Sequence, residues 1–458
     1  TSVPVLANDR DVEGPLDTTS VAVTTGPANG TVVGTADGRI SYASDVGYTG
    51  PDSLRYTVDD TTGRTSEATA VRIDVIDAAL TVVPDTVDLG LNRIDGVAKT
   101  AQLAVTNTGT AALTGLTTSI DNADEFAVDG GLGTDTLAAG AALEVGVRFT
   151  PDEAQSREGT LTVRTAEGAT VRVTLTGMGV SLNLQAGPAR RGESAPAALT
   201  VEGESVTTTG TLYARPGGTA RYQAFELREQ SATPLRLEGQ LPDTMATPRG
   251  IDYYAVLAEA GDTLTVPAGG PTRAAARPLH LPVSFEQLTA PGPFAPEAYR
   301  MVTVPARPTE GVKAALESAY GAYDPSIWRL ARWAPGRRDY REYPQIDTLR
   351  PGDGFWVVTA EGESLSIGTG RTVDASTPRR LALAPGWNQV GNPFGFAVPW
   401  DTVRAASGLA PAEVDGPVAY REGEYRPGQS RLNPWEGYLV FNAQPQPDTL
   451  VIPPVSGG

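Results

Sequence analysis

The chain of 458 residues contains no cysteine, a single histidine and two lysines. Without cysteine, disulfides, thiolate metal sites and cysteine nucleophiles are excluded. The one imidazole, His280, stands between two leucines with a proline on either side of them. This setting favours a structural histidine at a strand edge over a member of a Ser–His–Asp arrangement. With one histidine and no cysteine, the chain also lacks the imidazoles and thiolates that a zinc site needs.

Basic side chains are fewer than acidic ones, 36 against 54, which gives a formal net charge of −18. This balance disfavours nucleic acid and anionic membranes as partners. An acidic, lysine-poor composition is typical of a GC-rich genome or of a halophile-like or heat-adapted organism. No apolar run approaches the ~18–20 residues of a membrane span, and no charged-then-apolar leader precedes Thr1. An exported chain of this kind would be a mature segment or an excised piece of a longer protein.

Glycine and proline are abundant instead, with 51 and 37 residues. They separate runs rich in valine, threonine and leucine, which predict β-strands throughout the chain. The length is too great for one sandwich and indicates about three to five domains. We therefore predict an all-β protein of several tandem domains.

Residues 1–77 have the pattern of one small β domain. Asp37 and Gly38 suit a tight hairpin with positive φ, and residues 54–58 alternate between apolar and polar. Together with the Asn-Asp turn at residues 8–11, this order resembles the bacterial cadherin-like, immunoglobulin-like repeats of large surface proteins. The resemblance implies a β-sandwich outside the cell.

Such repeats usually have another strand before the Asn-Asp turn, and residues 1–5 are too short to supply all of it. A sandwich that lacks a strand exposes unpaired backbone groups, to which a strand of another copy can add. Copies joined head to tail in this way form a filament. The apolar segment 448–455 is a candidate donor. The alternative is that the natural N terminus lies upstream of Thr1.

Acidic and amide side chains stand near two turns of this domain: Asn8, Asp9, Asp11, Asp59 and Asp60. Oxygen ligands at this spacing can bind calcium, which would be the one cofactor of the chain. Asparagine and aspartate also form turns by accepting hydrogen bonds from their own backbone. The sequence leaves both interpretations open.

Residues 78–179 predict a second sandwich. Its phrases Asn-Thr-Gly at 107–109, Arg-Phe-Thr-Pro at 148–151 and Leu-Thr-Gly-Met-Gly at 175–179 resemble the hydin-like immunoglobulin modules of bacterial surface and ciliary proteins. Modules of that kind bind or space other proteins. The resemblance therefore implies no reaction.

Residues 180–290 predict a third and less regular sandwich. Within it, residues 211–218 and 249–256 resemble the fibronectin-like spacers of secreted bacterial proteins. The alternation of residues 251–255 predicts a strand after the Arg-Gly turn at 249–250.

Residues 291–458 repeat one pattern, in halves of about 291–380 and 381–458. The two halves open on similar segments, residues 299–305 in the first and 387–393 in the second. They also close on similar segments, residues 349–358 and 432–440. The order of strand, short helix, strand and strand resembles the duplicated C-terminal modules of type IX-secreted proteins from Bacteroidetes-like and Rhodothermus-like bacteria. The full prediction is thus an all-β chain of tandem immunoglobulin-like β-sandwiches, followed by a duplicated β-rich module with one short helix per half.

Each half carries signals for its helix and for a special glycine. Thr309 can cap a helix over 311–320 that Gly321 ends, and Pro399 can start a helix over 400–407 that Gly408 ends. The glycines that precede Phe355 and Tyr438 are expected to hold a turn conformation that a side chain would not allow.

All six tryptophans lie in this module. The unmatched Trp333, Trp356 and Trp435 are either core residues or a platform for sugars or a protein partner. Aromatics at matched positions of the two halves are expected in the core: Phe355 with Tyr438, and Tyr299 with Trp387. Residues 337–341 form a small basic island, either a solvated loop or a docking point for an acidic neighbour.

These patterns together predict a non-enzymatic, secreted protein of the cell surface with a structural or adhesive role. The expected partners are further copies of the chain or other cell-surface proteins, in a filament or layer. The alternative is a carbohydrate-binding accessory protein whose glycan site is the aromatic module. An enzyme would need a carboxylate pair, and no pair stands out among the 54 acidic residues.

Overall fold

The computed structural model describes residues 1–94, 96–130, 132–203, 209–232, 234–259, 262–268, 278–346 and 350–455. Strands hold 53% of the residues and helices 5%, which confirms the all-β class. The chain divides into two compact units. Unit one consists of residues 1–92, 97–152 and 156–178, and unit two of residues 93–96, 153–155 and 179–458.

The first sandwich of unit one is built from β1 (Ser2–Val3), β2 (Ala22–Thr25), β3 (Gly30–Ala36), β4 (Arg39–Ser44), β5 (Gly50–Thr57) and β6 (Thr69–Val75). Its sheets have the orders β1-β4-β3 and β2-β5-β6. Alternating residues such as Ile40 and Leu54 face the core between the sheets. The β3–β4 hairpin turns at Asp37 and Gly38, with φ of 48° and 77°, which confirms the Asp-Gly prediction.

The second sandwich follows at once. Its strands are β7 (Leu80–Val83), β8 (Thr86–Arg93), β9 (Lys99–Asn107), β10 (Leu113–Thr114), β11 (Thr117–Ile120), β12 (Phe126–Asp129), β13 (Thr136–Leu137), β14 (Ala142–Phe149), β15 (Ser156–Arg164) and β16 (Thr170–Ala186). One sheet has the order β12-β14-β9-β7, and β11, β15, β16 and β8 pair in the other. Stacked Phe126 and Phe149, with ring centroids 4.8 Å apart, fill the centre of its core.

Unit two opens on a region with strands β17 (Ala189–Arg190), β18 (Ala195–Glu202), β19 (Thr209–Pro216), β20 (Gln223–Ala232), β21 (Leu235–Leu241), β22 (Ile251–Glu259), β23 (Asp262–Val266) and β24 (Leu279–Leu281), with a 3₁₀ turn at Asp243–Met245. The first half of β20 pairs with β19 and its second half with β21. β20 therefore passes from one sheet to the other, as strands do at the corner of a sandwich.

The C-terminal part of unit two holds β25 (Val283–Phe285), β26 (Leu288–Thr289), β27 (Arg300–Val302), β28 (Ala306–Pro308), α1 (Gly311–Tyr320), β29 (Trp328–Ala334), β30 (Asp339–Glu342), β31 (Phe355–Thr359), β32 (Ser366–Ile367), β33 (Gly370–Thr372), β34 (Arg379–Leu383), β35 (Gly386–Gly391), β36 (Val398–Pro399), α2 (Trp400–Ser407), β37 (Val414–Arg421), β38 (Glu424–Arg426), β39 (Arg431–Leu432), β40 (Gly437–Asn442) and β41 (Asp448–Ile452). One half has a sheet of order β27-β31-β29-β30, and the other has β35-β40-β37-β38. In chain order these are the same arrangement twice.

The two helices begin and end where the sequence predicts. Gly321 follows the last residue of α1 as its C-cap, and Gly408 does the same for α2 with a left-handed φ of 69°. The capping prediction for α1 is wrong, because its N-cap is Glu310 and not Thr309, and no side chain caps it.

The strand-donor prediction is also wrong. β41, which covers most of the proposed donor segment, pairs with β34 from Asp448 to Ile452. Leu450 and Ile452 are fully buried in the core of their own half. A strand that holds this place in its own module is not free to add to another copy.

The division into four domains stays a proposal. β25 and β26 pair with β33 and β32, and Phe285 and Leu288 share a core with Leu316 and Trp328. These contacts connect residues from about Val283 onwards with the C-terminal module.

Gly354 and Gly437 stand where the two halves meet. A Cβ at Gly354 would lie 2.7 Å from the carbonyl oxygen of Val390, and a Cβ at Gly437 would lie 2.9 Å from that of Val302. Neither glycine has a positive φ. The expected turn conformation is therefore wrong: glycine is needed because the strand of the opposite half approaches so closely.

The contacts across this junction are reciprocal. Thr303 donates its backbone N–H to the carbonyl oxygen of Trp435 at 3.2 Å, and the matched Gly391 donates to that of Gly352 at 2.8 Å. Thr303 and Gly391 also face each other, because a Cβ at Gly391 would lie 2.2 Å from that of Thr303. The two halves are thus related by a local twofold, and one side chain fills the space at its centre.

Gly391→Ala is expected to destabilise the protein by about 1–3 kcal/mol, because the new methyl group overlaps the buried Thr303 side chain. Thr303→Gly in the same chain should relieve the overlap, so the double variant should lose less than the sum of the single losses. Urea unfolding followed by tryptophan fluorescence measures both effects. Gly368→Ala, at a glycine with open space around it, is the control. Equal stability of the two alanine variants would contradict the proposed packing.

Candidate binding face of the carboxy-terminal module

An open aromatic cleft of about 400 Å³ lies between the two halves of the module. The first half supplies side chains from the β29–β30 hairpin, and the second half supplies the rest. The lining residues are Trp333, Tyr340, Trp387, Val418, Tyr425 and Leu439. Four of these six side chains are aromatic, so the cleft offers several flat apolar faces.

Pairing across the β29–β30 hairpin holds the first wall. Trp333 stands directly opposite Tyr340, and their rings meet edge to face with centroids 5.1 Å apart. The indole N–H of Trp333 donates to the carbonyl oxygen of Trp387 at 2.9 Å, and its backbone N–H donates to Gln389 at 2.6 Å. The hairpin of one half is therefore fixed on the first sheet strand of the other.

The cleft leaves a large share of its aromatic surface in solvent. Tyr340 is 50% exposed, Trp387 is 42% exposed and Tyr425 is 56% exposed. Trp387 packs its ring edge to face on Phe441, with centroids 5.1 Å apart, so its orientation is fixed. Large aromatics exposed together in this way mark a binding surface more often than singly exposed ones.

Of the three tryptophans predicted as ligand contacts, the structure brings Trp333 to the cleft. Trp356 is 7% exposed and packs between Tyr299 and Tyr420. Trp435 is half-buried against the core of the first half, with a positive φ of 66°. A ligand-binding role for these residues stays a prediction.

The repeat-matched aromatics divide into a buried and an exposed pair. Phe355 and Tyr438 are completely buried, as the sequence predicts. The core prediction for Tyr299 and Trp387 is wrong, because they are 47% and 42% exposed. Matching positions show that two residues share a place in the fold, but they do not show which side of the strand faces water.

The single histidine is held in a buried polar cluster. His280 stands opposite Asp252 in the β22–β24 pair, and its Nδ1 lies 2.9 Å from that carboxylate. Arg215 binds the other carboxylate oxygen of Asp252 at 3.1 Å. The His280 side chain is 1% exposed, so it joins two strands and does not face solvent.

Comparison with known families gives a match over the first sandwich. Residues 1–72 match the family model of the bacterial Ig domain. No curated protein matches the chain. Within the described residues, neither helix has the length and apolar character that crossing a membrane requires.

Solved structures that resemble the chain include two cadherin ectodomains and one bacterial protein. The human desmocollin-1 ectodomain is 11% identical over 97% of this chain and 96% of its own, with a TM-score of 0.20. A fragment of mouse cadherin-23 is 13% identical over 56% and 85%, with a TM-score of 0.20. A protein of unknown function from Porphyromonas gingivalis is 15% identical over 37% and 87%, with a TM-score of 0.19. TM-scores of this size carry no argument about function.

The predicted calcium ligands lie in and beside the turns of the first sandwich. Asp11 and Asp60 accept hydrogen bonds from backbone N–H groups of their own turns at 2.8 to 3.1 Å, and Asp9 accepts one from a tyrosine hydroxyl. Asn8 is exposed and Asp59 is half-buried. Among the described residues, no three histidine, cysteine or acidic side chains come together to hold a metal. Calcium binding stays a prediction.

Two carboxylates fix the turns that precede the closing sheet strands of the module. The two terminal guanidinium nitrogens of Arg332 donate to the carboxylate of Asp353, at 2.7 and 3.1 Å. In the second half, Arg421 donates two hydrogen bonds to the carboxylate of Glu436, and the one from Nη2 to Oε2 is 2.8 Å long. Each arginine lies on a hairpin beside the cleft. These bidentate pairs therefore connect the hairpins to the junction between the halves.

Glu436 accepts further hydrogen bonds from the hydroxyl of Tyr438 at 2.7 Å and from Asn433 at 3.0 Å. Burial of the carboxylate raises its pKa, but the hydrogen bonds from Arg421, Asn433 and Tyr438 outweigh burial and hold the pKa below its usual value. Since the folded pKa lies below the unfolded one, this stabilisation is complete above about pH 4.3 and is lost as the pH falls through the folded pKa.

Glu436→Gln should lower the free energy of unfolding by about 1–2 kcal/mol near pH 7, a value already reduced for partial exposure of the group. The difference from the natural protein should shrink as the pH falls through the lowered pKa of Glu436, because the protonated carboxyl group is then uncharged like the glutamine amide. Chemical denaturation at several pH values measures this trend. Glu424→Gln, in an exposed ion pair of the same half, is the control. A difference that is independent of pH would show that the charge of Glu436 contributes nothing.

Proposed function

We propose that the chain is a non-enzymatic, secreted protein of the cell surface, with a structural and adhesive role. The observation that supports this is the series of antiparallel sandwiches, of which the first matches the bacterial Ig domain. The first two sandwiches each close on an apolar core of their own, so they can act as spacers without a ligand. The resemblances to cadherin-like, hydin-like and type IX-secreted modules belong to this proposal.

Assembly into a filament or layer is the finer form of the proposal, with other copies or surface proteins as partners. Among the described residues, β1 pairs on one side alone, with β4. Its outer edge can accept a strand from a neighbour. Since β41 is occupied within its own module, the added strand has to come from elsewhere on the partner.

Antibodies against the purified chain should label intact cells of the source organism. The full chain should also associate as its concentration rises in sedimentation velocity experiments. Association should increase with ionic strength, because copies with a formal net charge of −18 repel each other until salt screens them. Labelling that requires permeabilised cells would contradict the surface role. A monomer at every concentration and salt level would contradict assembly.

Carbohydrate binding is the second candidate function, and the exposed aromatic cleft favours it. Indole and phenol rings are rigid and amphipathic, so they can stack on the apolar face of a sugar ring while hydroxyl groups stay hydrated. The cleft is open and its rings are held in place by packing, which suits an extended glycan chain.

A glycan array probed with the full chain should show binding that Trp387→Ala weakens about tenfold, the loss of roughly 1.4 kcal/mol of contact. Tyr299→Ala is a matched control, because Tyr299 holds the equivalent position of the first half and does not line the cleft. Both positions are partly exposed, so both variants should keep the fold. Equal loss in the two variants, or no glycan bound, would contradict this candidate.

A further inference from the structure

A second cleft, of about 440 Å³, adjoins the aromatic one and is rich in arginine. Both strands and the turn of the β29–β30 hairpin line it, together with residues that follow the hairpin. The lining residues are Arg332, Trp333, Ala334, Pro335, Gly336, Arg337, Arg341, Gln345, Ile346, Arg350 and Asp353. Trp333 lines both clefts, so a ligand that stacks in one can reach into the other.

The positive charge of this cleft is largely uncompensated. Arg332 is the one of its four arginines that forms an ion pair within the described residues, with Asp353 at 2.7 Å. Arg337, Arg341 and Arg350 are exposed. Three guanidinium groups that form no ion pair with any described residue contrast with a chain that carries a formal net charge of −18.

The strand pairing places one of these unpaired arginines opposite the arginine that is paired with Asp353. Arg332 and Arg341 are opposite each other in the β29–β30 ladder. Like charges opposite each other destabilise a sheet. Asp353 compensates Arg332 alone, so an anion bound at Arg341 would reduce the repulsion that remains. The matched hairpin of the second half differs, because Arg426 stands opposite Ala419 and pairs with Glu424 at 2.7 Å.

We propose that the arginine cleft binds the carboxylate or sulfate groups of an acidic polysaccharide whose sugar rings stack in the aromatic cleft. This inference rests on the second candidate function, carbohydrate binding. The planar fork of a guanidinium group matches the oxygen pairs of carboxylate and sulfate. The aromatic faces beside the arginines favour a sugar chain over an acidic peptide, because a polysaccharide presents rings and anionic groups in regular alternation.

The full chain is tested by biolayer interferometry on immobilised polygalacturonate, dextran sulfate, neutral dextran and poly-glutamate. Binding to at least one of the two anionic polysaccharides is expected, and neutral dextran and poly-glutamate should bind at least about tenfold more weakly. Raising the salt from about 0.1 M to about 1 M shortens the Debye length from about 10 to about 3 Å and should weaken this binding strongly.

Arg337→Ala combined with Arg341→Ala should weaken binding of the anionic polysaccharide about tenfold or more. The matched control is Arg426→Ala in the equivalent hairpin, which should leave binding unchanged. Removal of Arg341 also relieves its repulsion with Arg332, so the melting temperature of the double variant should be equal or higher. Lost binding then reports lost contacts and not unfolding.

The possible failures are distinct. Neutral glycans that bind with dependence on Trp387 but not on the arginines would overturn the acidic ligand and leave carbohydrate binding in place. No binding to any glycan would overturn both. Poly-glutamate that binds as tightly as the polysaccharides, with the same dependence on Arg337 and Arg341, would assign the cleft to an acidic protein and overturn the proposal.

Discussion

Close backbone contact across a local twofold determines how the C-terminal module is built. The turn before the closing sheet strand of each half lies on the first sheet strand of the other, and Gly354 and Gly437 leave the space that this requires. Because the contacts are reciprocal, a small shift in one half is resisted in both. The aromatic cleft depends on this junction, since one half supplies a hairpin and the other a sheet.

A twofold arrangement within one chain need not be symmetric in its side chains. The function that we propose depends on the positions at which the two halves differ. At the centre, Thr303 faces Gly391, because one side chain fills the space there. Away from the centre, Trp387 lines the cleft while its counterpart Tyr299 packs against Trp356. The basic hairpin of the first half is matched by a charge-paired hairpin in the second. The two halves thus share a scaffold, and the aromatic and the arginine clefts lie where their side chains differ.

Local signals predicted the parts of the structure that local forces decide. The ends of both helices and the Asp37–Gly38 hairpin follow from glycine conformations that the nearby chain sets. Tertiary contacts decided the rest. The need for glycine before Tyr438 and the place of β41 both depend on partners far away in the sequence. The exposure of Trp387 depends on which side of β35 the other half covers, and no periodicity of the strand itself contains that information.

The acidic surface and the basic cleft respond to salt in opposite ways, which separates the two proposed roles physically. As it approaches to within about a Debye length of the surface, an anionic ligand meets the field of the whole chain, which is repulsive at a formal net charge of −18. Within the cleft it meets guanidinium groups at contact distance, where attraction exceeds that field. Moderate salt therefore suppresses the repulsion before it weakens the contacts. Association of copies benefits from every increase in screening, whereas an arginine-bound polysaccharide is released once the screening length falls to the size of an ion pair.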